Sequence, residues 1–196
     1  MKTVLASGNQ GKLTELSQLL EPLGIELVSQ GSLGIDAAPE TASTFVENAI
    51  GKARHACLQS GLAAIADDSG ISIDALNGDP GVYSARFAGN DATDADNNDK
   101  LIRVLKGHEQ RGAHYFCAIV YLRHAADPTP LIASGRWDGQ ILSEPRGSNG
   151  FGYDPYFLPV GQKLTAAELA PPVKNQISHR GQAVAQLLAL LQTIGE

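Results

Sequence analysis

The stretch Thr3-Val4-Leu5-Ala6-Ser7-Gly8-Asn9-Gln10-Gly11-Lys12, followed by Leu13, Leu16, Leu19, Leu20 and Leu23, decides the fold. Thr3 to Ala6 is an apolar run of strand length, the leucines recur at helical spacing, and Gly24 stops them. A strand feeding a helix through a polar, glycine-bearing turn opens an α/β sheet. Ile25-Glu26-Leu27-Val28 supplies a second strand. Thr44 with Glu47 three residues later has capping-box spacing and starts a helix that runs to Ser60, with Gly61 as its stop. Ala63 to Ala66 reads as a short strand that ends in Asp67-Asp68-Ser69-Gly70, so the acidic pair is expected just past a strand end, and Ile71 to Leu76 alternates after it. Thr93 to Leu105 predicts a third helix. Tyr115 to Leu122, apolar on both faces, predicts a central strand. Ile132 to Ile141 is strand material interrupted by the hairpin-type signal Asp138-Gly139. A last helix starts near Ser178 and carries Leu187, Leu188, Leu191 and Ile194 on one face. The sum is α/β with a mixed sheet.

Composition narrows the function classes. The 196 residues, 43% hydrophobic and 18% charged, suit one compact domain or two tightly joined lobes, and a chain of this length buries a core without staples. Cys57 and Cys117 lie in apolar stretches outside any metal-ligand or redox spacing, so both are expected as reduced core thiols. Only four apolar residues precede Ser7-Gly8, too few for a signal peptide, and no run approaches a membrane span. A cytoplasmic location without membrane contact is the expectation. A net charge of -6 with no Lys/Arg run argues against a nucleic-acid polymer as partner, because that affinity needs a clustered positive footprint. A mononucleotide needs only a few placed cations.

Four constellations carry chemistry. In Ser7-Gly8-Asn9-Gln10-Gly11-Lys12, two glycines let backbone approach an anion, helix N-terminal amides point at it, and Lys12 adds a full charge. A Walker A loop would need Gly at Ala6 and Ser or Thr at Leu13; read alone, the stretch is also an ordinary strand-to-helix connection. Asp67-Asp68-Ser69-Gly70, joined at a distance by Glu40, offers carboxylates to magnesium and to an attacking water; its alternative is a solvated acidic turn. Neighbouring side chains on extended backbone point to opposite sides, so one aspartate of the pair touches the metal and the other orients it from behind.

In Gly150-Phe151-Gly152-Tyr153-Asp154-Pro155, glycines and proline fix a loop from which two aromatics and a carboxylate can meet a base, or close the core. Lys174 with Ser178-His179-Arg180 gathers cations at a helix start, which favours an anion there. Other features carry less. The series Asp91, Asp94, Asp96 and Asp99 lacks calcium-loop spacing and reads as dipole complement in a first helical turn. His55, His108, His114 and His124 have no partner at ligand spacing, and Trp137 reads as a sheet or interface aromatic.

These constellations, in this order, resemble the inosine triphosphate pyrophosphatase family, or non-standard purine NTP pyrophosphatases, in their bacterial form. The resemblance runs through Ser7 to Lys12, Glu40-Thr41, Thr44-Phe45 with Glu47-Asn48-Ala49, Ala66 to Gly70, Pro80-Gly81-Val82-Tyr83-Ser84-Ala85-Arg86, Gly150 to Pro155 and Ile177 to Gly181. It spans nearly the whole chain. It implies one nucleotide pyrophosphatase domain over 1–196, with a long mixed sheet and helices forming two lobes around a central cleft, in a homodimer. It implies that Ser7, Gly8, Asn9, Gln10, Gly11 and Lys12 hold the triphosphate. Glu40 and Asp68 would serve Mg2+, with Asp67 behind them and Asp68 as proton acceptor. Ser69 would contact the nucleotide, Phe151, Gly152, Tyr153, Asp154 and Lys174 would line its pocket, and His179 and Arg180 would meet the purine edge.

The implied reaction is water attack on the α-phosphorus of ITP, dITP or XTP. Gly51 departs from the family pattern inside its helix, and Pro171-Pro172 leave the path of a Lys174 loop open. A septum-inhibitor-type pyrophosphatase of modified pyrimidines is the alternative, though that family opens with a Ser-x-Ser-Pro-x-Arg style loop rather than Ser7-Gly8-Asn9.

Overall fold

The structure, a computed structural model, describes residues 1–8 and 10–194, and the side chains of Gln10, Gly11, Lys12, Glu15 and Ile194 lie outside the described set. The strand β1 (Lys2–Leu5) pairs in parallel with β2 (Glu26–Ser29) on one side and with β3 (Ala63–Ile73) on the other. Parallel neighbours need crossovers, supplied by α1 (Gln10–Leu20) and α2 (Phe45–Ser60). Gly24, at φ +71°, ends the 3-10 turn Glu21–Leu23 that follows α1, and Gly61, at φ +70°, ends α2, each where a side chain would strain the backbone. The six-stranded order is β2-β1-β3-β4-β5-β6, with β4 (Gly112–Leu122) central and β6 (Phe157–Pro159) antiparallel to β5 (Leu131–Ile141). The sheet is therefore mixed. The remaining helices are α3 (Asp94–Val104), α4 (Pro171–Ile177) and α5 (His179–Ile194).

Around β1 the direction of strand addition reverses, and the carboxyl end of a strand at such a reversal is where open α/β sheets hold ligands. The register locates that end. Leu5 lies opposite Ile65, Ala6 N–H donates to the Ile65 carbonyl at 2.8 Å, and the chain then leaves the sheet at Ser7-Gly8. Asp67 and Asp68 follow two and three residues past Ile65 on β3, so topology alone brings them level with the exit of β1.

Several expectations are corrected. β3 does not stop at Ala66: it continues through Asp67-Asp68-Ser69-Gly70 to Ile73 as one 11-residue strand, and both aspartates are buried within it. The solvated-turn reading of that segment falls with this. Asp74–Leu76 is a 3-10 turn. β5 is likewise unbroken, because Gly139 pairs with Pro159 in the ladder, and a Cβ there would stand 2.6 Å from the Leu158 carbonyl and the Phe157 ring. That glycine serves close approach, not a turn. Lys174 sits on the short helix α4 and not in a loop. Leu19 faces outward, while Leu13, Leu16, Leu20 and Leu23 pack inward. Gly51 is exposed within α2 with open space around it, and nothing in the structure explains it.

Two compact units share the strands. The first, Met1–Asp68, Cys117–Ser134 and the chain from Ala183, has a core of Leu5, Leu16, Leu20, Ile65, Ile119, Tyr121 and Leu187. The second, Ser69–Phe116 and Gly135–Gln182, has its own core, including Ile71, Ile73, Leu101, Tyr115, Trp137 and Phe157. Cys57 and Cys117 are buried free thiols, as their apolar context predicts. No helix among the described residues is long and apolar enough to cross a membrane.

In the first unit, the turn between β4 and β5 is tied by Asp127, buried and clamped by its neighbours. Its carboxylate accepts from Arg123 Nε at 2.8 Å, from the Arg123 amide at 3.1 Å and from the Thr129 amide at 3.0 Å. The Arg123 guanidinium, helped by those amides, holds this carboxyl far below the usual carboxylate range despite the opposing effect of burial. Asp127→Ala is expected to cost about 1–3 kcal/mol at neutral pH, since two amides and a guanidinium lose their acceptor. A folded carboxyl that binds its proton only at lower pH contributes fully above the unfolded value, about 4, and loses that contribution as pH falls below it. Urea unfolding of wild type and variant across pH 2–8 should show the gap narrowing below about pH 4; a gap that stays constant would contradict the ion pair's role.

Candidate active site

The first unit carries the carboxylates. Thr44 caps α2 by accepting the Glu47 amide at 3.2 Å, and its own hydroxyl donates to the Glu47 carboxylate at 2.7 Å. Starting from that cap, Asn48 and Lys52 stand one helical turn apart on one face, while Ala49, Ala53, Ala56 and Cys57 are buried. Asn48 Oδ1 accepts the Ala42 amide at 3.0 Å and Nδ2 donates to Asp68 Oδ2 at 3.1 Å, so its amide has one orientation. Lys52 Nζ donates to Asp68 Oδ1 at 3.1 Å and to Glu40 Oε1 at 2.7 Å.

Asp68 is only 8% exposed. Burial pushes its carboxyl up, with the Glu40 charge adding to the push and Lys52 and Asn48 opposing it. Lys52 is itself pulled down by burial, but Asp68 and Glu40 together carry it above the usual lysine value. The result is a carboxylate of raised proton affinity, held at both oxygens by donors. Such a group suits the orientation and deprotonation of water.

The donor set can be tested against a divalent cation. Glu40 and Asp68 converge on a single positive charge, and one or two carboxylates completed by phosphate oxygens and water is the usual magnesium arrangement at nucleotide sites. Among the described residues no group of three or more His, Cys, Asp or Glu is arranged to hold a metal by protein ligands alone. The carboxylate pair suits an ion completed by the phosphate oxygens of a substrate.

The second unit carries aromatics and cations. Phe151 is 61% exposed, with Lys174 Nζ 5.3 Å and Arg180 Cζ 5.8 Å from its ring centre. Gly150, at φ +78°, is required twice over, since a Cβ there would also run into the Asp154 carboxylate. Asp154 is buried, accepts the Phe151 amide at 2.9 Å and is paired with Lys174. Tyr153 does not project: it is buried, and its hydroxyl donates to the Ser84 carbonyl at 2.7 Å.

His179 opens α5 with its ring stacked on Tyr115, 4.7 Å between centroids and 7° between planes, and Trp137 flanks it at 6.4 Å. Arg180 Nη2 donates to Ser69 Oγ at 3.1 Å. Gly181 allows α4 and α5 to meet, because a Cβ would collide with the Asn175 carbonyl.

The structure brings Glu40 to Asp68 in the first unit and, in the second, joins Ser69, Phe151, Asp154, Lys174 and Arg180, which the sequence offered in three separate constellations, with Gly152 next to Phe151 and His179 next to Arg180. Asp67 is buried beside Asp68, and Ser7 and Gly8 lie at the exit of β1. Asn9 falls outside the described residues, as do the side chains of Gln10, Gly11 and Lys12. Asn48 and Lys52 were not among the expected site residues. Their four-residue spacing from a capped helix start was visible, but a lone lysine on a helix reads as solvated until Asp68 is known to face it.

Comparison with known proteins fits this geometry. The family model described as the Ham1 family matches residues 3–190. The chain is 56% identical over 194 residues to a protein of Ralstonia nicotianae named dITP/XTP pyrophosphatase, covering 97% of this chain and 96% of that one. It is 53% identical to the dITP/XTP pyrophosphatase of Escherichia coli over 97% of this chain and 98% of that one. Among solved structures, a HAM1 protein from Coxiella burnetii superposes with a TM-score of 0.96 at 50% identity, covering 98% of this chain and 99% of that one. Motif order, sheet topology and full-length likeness agree, and the chain belongs to the Ham1 family.

Proposed function

We propose that this protein is a nucleoside triphosphate pyrophosphatase that hydrolyses ITP, dITP and XTP to the monophosphate and pyrophosphate. The observation that carries the reading is near full-length likeness, at 52–56% identity, to proteins named dITP/XTP pyrophosphatase. A septum-inhibitor-type enzyme is not favoured by it. The geometry supplies a division of labour. Asp68 positions a water against the α-phosphorus and accepts its proton, which its raised proton affinity favours. Lys52 and Asn48 keep the carboxylate ionised and aimed. Bound with substrate at Glu40 and Asp68, magnesium would neutralise charge on the phosphate oxygens. Ser7 to Lys12 hold the triphosphate, and pyrophosphate leaves as a stable anion that needs little acid catalysis.

Ser69, Phe151 to Asp154, Lys174, His179 and Arg180 serve the nucleoside. Phe151 supports it by stacking: an exposed ring on a fixed backbone is suited to that work. Arg180 carries only donors, and a 6-oxo purine presents an acceptor where adenine presents an amino donor. Two donors facing each other leave both unpaired, a mismatch that costs about 10⁴-fold in a site built to hydrogen-bond. We further propose a cytoplasmic enzyme that is a homodimer, checked by light scattering at micromolar concentration; a monomeric mass would refute the dimer.

Pyrophosphate release should be rapid with ITP, dITP and XTP, and about 10²-fold or more slower with ATP, whose 6-amino group would face the Arg180 donors. Equal rates on all four would remove the selectivity. Chelation of divalent cations should abolish release and added magnesium restore it; undiminished turnover without metal would refute the cofactor assignment. Asp68→Asn should lower kcat by about 10²–10⁴ while nucleotide still binds, whereas a wild-type rate would rule out Asp68 as proton acceptor.

A further inference from the structure

Gly152 is held from outside its own loop. Its N–H donates to Asp94 Oδ2 at 2.6 Å, and its carbonyl accepts from Asn98 Nδ2 at 2.9 Å. Asp94 and Asn98 stand one turn apart at the start of α3, so a single helix face grips both polar groups of one peptide residue. Neither side chain is needed to begin the helix. The cap is already complete, because Thr93 Oγ1 accepts the Asp96 amide at 3.2 Å and the Asp96 carboxylate accepts the Thr93 amide at 2.9 Å. Dipole complement, the ordinary reading of an acidic first turn, therefore leaves the Asp94 contact unexplained.

Asn98 adds a second sign. It is 8% exposed, and its Oδ1 is buried with no hydrogen-bond partner among the described residues. A buried orphan acceptor is unfavourable, and the flipped amide would set Oδ1 against the Gly152 carbonyl and lose the bond that Nδ2 makes there. The residue keeps the orientation that serves the loop.

The consequence falls on Phe151. Its amide is tied to Asp154 and the next residue is tied to α3 at both polar groups, while its ring stays mostly in solvent. Gly152, at φ +62°, has the backbone freedom of glycine, and the two contacts fix the peptides on either side of it, the first of which joins it to Phe151. We infer that Asp94 and Asn98 are positioning residues for substrate recognition, acting through Gly152 to set the Phe151 ring in advance for the nucleobase. Preorganising the ring spares its ordering on binding, so loss of the clamp weakens nucleotide affinity and leaves the chemical step largely alone.

This rests on Phe151 stacking the base, and one experiment separates the two claims. Steady-state kinetics with ITP is measured for wild type, Asp94→Ala, Asp94→Asn, Asn98→Leu, Phe151→Ala and the double variant of Asp94→Ala with Phe151→Ala, each checked by thermal unfolding. Asp94→Ala and Asn98→Leu should raise KM about tenfold with kcat changed less than about threefold. Asp94→Asn, which keeps an acceptor, should return KM to within about threefold of wild type. In the Phe151→Ala background, Asp94→Ala should add almost nothing, because both act through one ring. If Phe151→Ala leaves KM unchanged, the stacking reading fails. If Phe151→Ala raises KM but Asp94→Ala does not, or raises it equally in both backgrounds, the clamp is overturned. Should Asp94→Ala unfold, the Asn98→Leu and Asp94→Asn pair decides by the same KM criterion.

Discussion

The proposed reaction hangs on one buried carboxylate. Asp68 sits inside β3 with few ways to be solvated, and an ionised group in that position is costly unless paired and hydrogen-bonded. Asn48 and Lys52 meet that need, one oxygen each. Their placement requires α2 to start where Thr44 starts it and to pack against β1, with Ala49, Ala53 and Ala56 buried. The Lys52 ammonium also draws in Glu40 from a loop that no strand or helix positions. A capping hydroxyl, an alanine stripe and a lysine together become the frame of a carboxylate pair.

Much of this was legible in the sequence where periodicity and stop signals agree. The β1-α1-β2 opening, the Thr44 cap, Gly61 and the third helix at Thr93 emerge as read. Local punctuation misled in two places. Asp67-Asp68-Ser69-Gly70 has turn composition, yet the strand continues, with Asp68 satisfied by Asn48 and Lys52 from a helix distant in sequence. Asp138-Gly139 has hairpin composition, yet the glycine is there so that Phe157 and Leu158 can pass close by. In both, tertiary partners absent from the local window override the turn chemistry.

The candidate site was legible by motif more than by role. Phe151, Tyr153 and Asp154 share one loop, but only Phe151 presents its side chain outward; Tyr153 closes the core and Asp154 ties the loop to Lys174. Single residues also did double duty unseen. Asp94, which reads as a helix-dipole complement, binds the Gly152 amide, and His179 is packed flat against Tyr115 rather than standing free at a helix start. These two contacts join positions 58 and 64 residues apart, and no spacing rule reaches that far.

The central claim is that a water held by Asp68 attacks the α-phosphorus of a 6-oxo purine triphosphate. Turnover of ITP in ¹⁸O-labelled water, with both products analysed by mass spectrometry, tests it most directly. One label in inosine monophosphate and none in pyrophosphate is the predicted result. Label in pyrophosphate, or release of the diphosphate with labelled orthophosphate, would contradict it.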